Sequence, residues 1–252
     1  EVDLKPHRSR YWLHPQFDDP QRFEEQVTTI CSLYSDALDL HEQGVHLMST
    51  DEMTGIQALE RLQETLASMP GQIERRAFDY IRHGTQCLIA NFEVATGQVL
   101  GPTVGAQRTE EDFADHILHT VASDLESPWI FIVDNLNTHQ SESLVALVAD
   151  VCDLDENLGK KGRSGILQSQ ATRAAFLSDP THRIRFVYTP KHASWLNQIE
   201  IWFSTLARRL LKRASFTSVG NLKQRILDFI DYFNQTMAKP FKWTYAGRPL
   251  KA

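Results

Sequence analysis

Apolar positions recur with helical spacing from Phe23 through Val27, Ile30, Leu33, Ala37 and Leu40, which predicts a helix over about 21–42. Asp19-Pro20 ahead of it reads as an N-cap with a first-turn proline, and Gly44 as its stop. The next apolar run, Val45 to Thr50, suits a short strand that delivers Asp51 and Glu52 at its end. Thr85–Val94 and Gln98–Val104 flank Ala95-Thr96-Gly97, a Gly-containing connection that fits a hairpin. Thr109 followed by Glu110, Glu111 and Asp112 predicts a capped helix with acid at its positive end and Phe113, Ile117, Leu118, Val121 and Leu125 at its apolar positions. Trp129–Val133 is continuously apolar up to Asp134, as expected of a central strand covered on both faces. Helical spacing returns over Ser141–Cys152, a β-type run over Arg183–Tyr188, and helical spacing again over Asn197–Arg213 and Ser218–Phe233.

The order strand, strand, strand, helix, strand, helix, strand, helix matches an α/β, ribonuclease H-like fold. In that fold an antiparallel hairpin group continues through right-handed crossovers into parallel strands, giving a mixed five-stranded sheet flanked by helices. Composition agrees with a folded domain: 42% of the 252 residues are hydrophobic and 23% charged. The longest clean apolar run has five residues where a spanning helix needs about 20, which argues against a membrane role. Three cysteines, far apart and odd in number, argue against a disulfide framework or a zinc site and point to a reducing, cytoplasmic setting.

The net charge of −6 hides an asymmetry. Residues 1–180 hold 13 Lys and Arg against 29 Asp and Glu, whereas residues 181–252 hold 13 against 3. A basic C-terminal quarter with Arg208, Arg209, Lys212 and Arg213 near Trp202, Phe203, Phe216 and Trp243 suits a phosphate backbone, or equally a solvated basic face.

Ligands of such sheets gather outside the carboxyl ends of the strands, where Asp51 and Asp134 fall. Chemistry at a phosphodiester needs charge neutralised on the non-bridging oxygens, an activated nucleophile and a stabilised leaving oxygen. Two Mg²⁺ ions about 3.5–4 Å apart, or Mn²⁺ in their place, meet all three needs. Hard cations take oxygen ligands, so carboxylates are the right residue type. Glu200 is the third candidate, although Asn197 with Glu200 three residues on also reads as a capping box that needs no metal. Asn135 and His139 could orient the acids or the water around them, or serve only turn geometry and capping. Lys191 and His192, between the last strand and the Glu200 helix, could hold a scissile strand or lie solvated.

The wording of four segments is more specific than their spacing. Ser49-Thr50-Asp51-Glu52-Met53-Thr54-Gly55, Asp79-Tyr80-Ile81-Arg82-His83-Gly84-Thr85, Val133-Asp134-Asn135-Leu136-Asn137-Thr138-His139 and Ser194-Trp195-Leu196-Asn197-Gln198-Ile199-Glu200 resemble the transposases of the bacterial insertion sequence 630 family. That family lies within the mariner-like superfamily of DDE transposases, and the resemblance runs from about Tyr11 to Trp243. It implies that Asp51, Asp134 and Glu200 are the catalytic, metal-binding acids, with Asn197 in the motif of the third. It implies metal-dependent cleavage at transposon ends and attack of the freed 3′-hydroxyl on target DNA, expected at TA dinucleotides. The expected partners are the terminal inverted repeats, the target DNA and a second copy of the chain in the active complex, in a bacterial cytoplasm at the nucleoid.

The resemblance also divides the chain. Residues 1–43 are expected to be a linker arm and first helix following a missing helix-turn-helix region, 44–237 the catalytic domain and 238–252 a tail. The 65 residues between Asp134 and Glu200 exceed the family's usual spacing, and the surplus falls in about 153–181. This insertion is either a DNA-contacting flap, with Lys160, Lys161 and Arg163 on phosphates, or a solvated loop. The rival readings are a non-catalytic DNA-binding remnant of a decayed element and a nuclease on the same fold without strand transfer.

Overall fold

Strands β1 (His46–Arg61), β2 (Tyr80–Glu93), β3 (Val99–Gly105), β4 (Trp129–Val133) and β5 (Ile184–Tyr188) form one mixed sheet in the order β3-β2-β1-β4-β5. The first three pair antiparallel, while β4 runs parallel to β1 and β5 parallel to β4. The computed structural model describes residues 19–63, 66, 68–73, 75, 79–191 and 193–245. His192 lies outside the described residues, as do residues 1–18 of the expected arm and 246–252 of the expected tail. Among the described residues no helix is long and apolar enough to cross a membrane.

Helices α1 (Pro20–Ser35), α2 (Ala37–Glu42), α3 (Glu110–Val121), α4 (Glu142–Val151), α5 (Gln170–Leu177), α6 (Ile199–Leu206) and α7 (Val219–Thr236) cover both faces. Strand alternation decides which helix each residue meets. In β4, Trp129, Phe131 and Val133 join the core under α3, α4 and α5, whereas Ile130 and Ile132 face α1. In β2, Leu88, Ala90 and Phe92 face α6 and α7 while Ile89 faces α3. All five residues of β4 are buried, as its unbroken apolar run predicts.

Several expected boundaries moved. The helix expected over 21–42 breaks at Asp36, whose backbone leaves helical geometry while its N–H caps the Ser32 carbonyl. The strand expected to end at Thr50 continues to Arg61, because β1 pairs with β2 along its length; in this extension Ile56 and Ala58 are buried in the core under α6 and α7, while the facing stretch at the start of β2 is exposed. The helix expected over 197–213 begins only at Ile199 and widens into a π-helical turn at Ala207–Leu211. Thr109 does cap α3, in a reciprocal pair with Asp112. The 153–181 segment carries α5 and is packed rather than solvated throughout: Leu167, Phe176 and Leu177 join the core under α3 and α4.

Candidate active site

Parallel pairing of Ser49 with Ile132 puts Asp51 level with Asp134, two residues further along neighbouring strands that lie about 4.8 Å apart. At that level β4 stops, while β1 runs on beside β2, so a crevice opens outside the carboxyl end of β4. Glu200 enters from the other side, exposed in the first turn of α6. The three acids therefore come from three separate elements, with Asp51 and Asp134 brought level by the strand register.

A polar latch ties β1 to the start of α6. Ser49 donates its hydroxyl to Asn197 Oδ1 and accepts the Ile199 N–H at 2.9 Å. Asn197 Nδ2 reaches the Thr50 carbonyl at 3.1 Å and Asp51 Oδ2 at 3.3 Å. Both side chains are buried, so β1 and the start of α6 are tied by bonds that no water can replace. The capping reading of Asn197 is corrected by this geometry. The helix N-cap is Gln198, without a side-chain cap bond, because the Asn197 amide is spent on β1.

Electrostatics separate the acids. Burial pushes the Asp51 carboxyl up to about 7, and the charges of Asp134 and Glu52 push the same way against the Glu52 N–H, bonded at 2.7 Å, and the charge of His139. Asp134 is more open, and although burial works to raise its pKa, the hydrogen bond and charge of His139, the Leu136 N–H and Arg108 outweigh it and hold the carboxyl below its ordinary value. Glu200 is raised by partial desolvation and by the charge of Asp134, which places those two acids within electrostatic reach.

Glu52 was named in the sequence only as a neighbour of Asp51, yet it proves central. Alternation along β1 sends its side chain to the face opposite Asp51, where it is almost fully buried beside His139. His139 Nε2 lies 3.2 Å from Glu52 Oε2 and its Nδ1 lies 2.8 Å from Asp134 Oδ1, with Thr138 Oγ1 3.4 Å and Arg108 3.9 Å from the Glu52 carboxylate. Burial would lower the imidazole pKa, but the two carboxylates more than reverse that and raise it to about 9. Asp51, Glu52 and His139 each place a donor atom within 4.8 Å of the others, a spacing that would also suit a metal. The raised pKa favours the imidazolium form of His139, in which both ring nitrogens donate to carboxylates and no lone pair is left for a cation. Carboxylate oxygens are the better donors for a hard ion, and the buried Asp51 carboxyl with its raised pKa is what a nearby cation would relieve.

The remaining expected residues are spread around this centre. Asn135 Nδ2 donates to the Thr189 carbonyl, joining the ends of β4 and β5. Asn135 and Lys191 line a cavity of about 960 Å³ with Arg22, Asn137 and Arg185. Lys160 and Arg163 sit exposed on the turn before α5, whereas Lys161 is engaged by Glu110 at 3.2 Å and Glu142 at 3.4 Å. Arg208, Arg209, Lys212 and Arg213 follow Glu200 along the α6 helix and its π-helical turn, exposed. Arg108, from the loop before α3, carried no sequence signal, since only the fold brings it to Glu52.

The profile of the DDE superfamily endonucleases matches residues 46–223. Among curated proteins none matches the chain. Among solved structures, the Mos1 transposase in its paired-end complex with the left transposon end superposes with a TM-score of 0.53 at 12% identity, covering 95% of this chain. The chain spans 62% of the length of that Mos1 chain. The catalytic domain of the Mos1 mariner transposase gives a TM-score of 0.48 at 9% identity, over 87% of this chain and 85% of that one. The sheet order is thus that of the ribonuclease H-like fold, and with a match that takes in all three acids this chain belongs to the DDE superfamily of endonucleases.

Proposed function

We propose that this chain is the catalytic unit of a DNA transposase of the mariner-like kind, in its insertion sequence 630 branch, cutting transposon ends and joining the freed 3′-hydroxyl to target DNA. The observation that carries the reading is that Asp51 and Asp134 lie level outside the β4 strand end with Glu200 in electrostatic reach of Asp134, while among the described residues no cationic side chain is bonded to buried Asp51. A site built only for stability would not set Asp134 against both Asp51 and Glu200.

Asp51, Asp134 and Glu200 would hold two divalent ions, Mg²⁺ or Mn²⁺, which when bound neutralise the phosphate oxygens and lower the pKa of an attacking water or hydroxyl. The protein's own groups do the positioning. Asn197 aims the Asp51 carboxylate, and the His139 imidazolium aims that of Asp134 while offsetting the charge of buried Glu52. Lys191, just after the end of β5 and in the cavity that Asn135 lines, suits the phosphates of a strand crossing the site. Paired transposon ends imply two copies of the chain in the active complex, and a TA target follows from the same reading. The Mos1 transposase, similar in fold, is known in a complex with its transposon end, in keeping with DNA as partner.

The test uses a duplex carrying a transposon end, with and without a precut 3′-hydroxyl, in Mg²⁺. Wild type is expected to nick the first and join the second to a target, and Asp134→Asn to do neither, with at least about a hundredfold loss. Cleavage that survives in Asp134→Asn overturns the assignment. Nicking without any joined product supports the nuclease alternative instead.

A further inference from the structure

Away from the acids, Arg208, Arg209, Arg213 and Lys239 converge on one cavity of about 620 Å³, with Thr205, Phe233, Met237 and Phe241 completing its wall. No acidic side chain lines it, and none of these four cations meets a carboxylate among the described residues. Four like charges around one cavity repel one another, so the folded chain bears a cost that only an anion from outside would remove.

The cavity is built rather than incidental. Lys239 comes from the segment after α7, which is pinned to the β2–β3 turn. The Lys239 carbonyl packs so closely on Gly97, which has φ +75°, that a Cβ there would lie 2.1 Å from it. Phe241 stacks on Phe92 with ring centroids 4.6 Å apart, and Asn234 on α7 exchanges two 2.8 Å bonds with the backbone of Val99. Arg208 and Arg209 lie exposed on the π-helical turn, with the Arg208 guanidinium steadied on the Ser204 carbonyl at 3.1 Å. Such turns are frequent at functional sites.

One helix links the cavity to the site. Glu200, Ile201, Ser204, Arg208 and Arg209 are all exposed, forming one solvent-facing stripe along a single helix. Eight residues at 1.5 Å each put Arg208 about 12 Å from Glu200, the span of three to four nucleotides at about 3.4 Å each. A small anion would need only the cavity; a cavity on the helix that carries Glu200 suits a polymer of phosphates able to reach both. Resting on the reading of the acids as a DNA-cutting centre, we infer that this cavity seats the phosphodiester backbone of a DNA strand about three to four nucleotides from the bond that is cut. Arg208, Arg209 and Lys239 would be positioning residues that fix which bond reaches the acids.

The experiment measures binding of a duplex of arbitrary sequence by fluorescence anisotropy across a salt series, for wild type, Arg208→Ala, Arg209→Ala, Lys239→Ala and Lys223→Ala, an exposed cation on α7 outside the cavity. Each cavity variant is expected to lower the slope of log affinity against log salt by about 1, and Lys223→Ala to leave it unchanged. Equal slopes in cavity variants and control overturn the proposal, as does saturation by inorganic phosphate that does not compete with DNA. In the cleavage assay the cavity variants are expected to impair cutting of DNA that extends about six nucleotides from the scissile bond and to leave DNA ending just beyond it unaffected; equal loss on both overturns the placement. Slope changes without cleavage would sink the enzyme reading and leave the cavity standing, whereas cleavage with unchanged slopes would do the reverse.

Discussion

His139 and Asp51 carry opposite burdens in one site, and both make the metal-free protein sensitive to alkali. The Asp51 carboxyl is raised from its ordinary value near 3.8 to about 7, so the protonated form fits the fold best; its contribution to stability is full below about pH 4 and is lost as pH rises to 7. His139 is raised from 6.5 to about 9, so its contribution is full below pH 6.5 and is lost toward pH 9. Asp134, held low, acts in the other sense only below its ordinary range. The melting temperature measured with a chelator present should therefore fall from pH 4 to pH 9. Because only ionised Asp51 can hold a cation, stabilisation by added Mg²⁺ should grow through pH 7; equal Mg²⁺ shifts at pH 5 and pH 8 would remove Asp51 from the metal set. His139→Gln keeps hydrogen-bonding capacity but loses the charge that orients Asp134 and offsets Glu52. Calorimetric Mn²⁺ affinity should drop about 10- to 100-fold, as it does when groups supporting metal ligands are lost.

At the scale of elements, the latch between β1 and α6 is what turns two distant stretches of chain into one site. Asn197→Ala would strand the buried Ser49 hydroxyl and Thr50 carbonyl, and a cost of about 1–3 kcal/mol is expected in urea unfolding. Glu200 should lose register with it, so cleavage is expected to fall further than stability alone explains; a folded Asn197→Ala chain with full activity would show the latch to be only structural. The turn before α5 behaves differently. Lys161 is offset by Glu110 and Glu142, so Lys161→Ala should leave the salt dependence of DNA binding unchanged, in contrast to Arg208→Ala. Element identity was legible wherever apolar periodicity or capping chemistry was strong, as at α3, β4 and α7. It was not legible at the start of β2, where exposed residues leave no apolar signature, nor in β1 beyond Thr50, where buried Ile56 and Ala58 stand among exposed neighbours, nor at Asp36, where one residue interrupts an otherwise helical stripe.

Across the whole molecule, one sheet with helices on both faces holds the acids at the strand ends while the basic C-terminal quarter gathers on α6 and beyond it. The rigidity of that frame rests on its central strand. Phe131 is fully buried, stacked on Phe186 at 5.3 Å and on Trp129 at 6.0 Å, and Phe131→Ala should cost about 3–5 kcal/mol in chemical denaturation, a large share of a domain's net stability. The sequence by itself determined the order of elements, the central strand, the three candidate acids and the basic quarter, because periodicity, caps and charge are local properties written in consecutive residues. Only the tertiary structure decided that Asn197 serves Asp51 rather than its own helix, that Glu52 and Asp134 share His139 between them, and that Lys239 joins three arginines around a single cavity. Each of those outcomes depends on which strands pair and on which face a side chain emerges, and neither is set by any short stretch of chain.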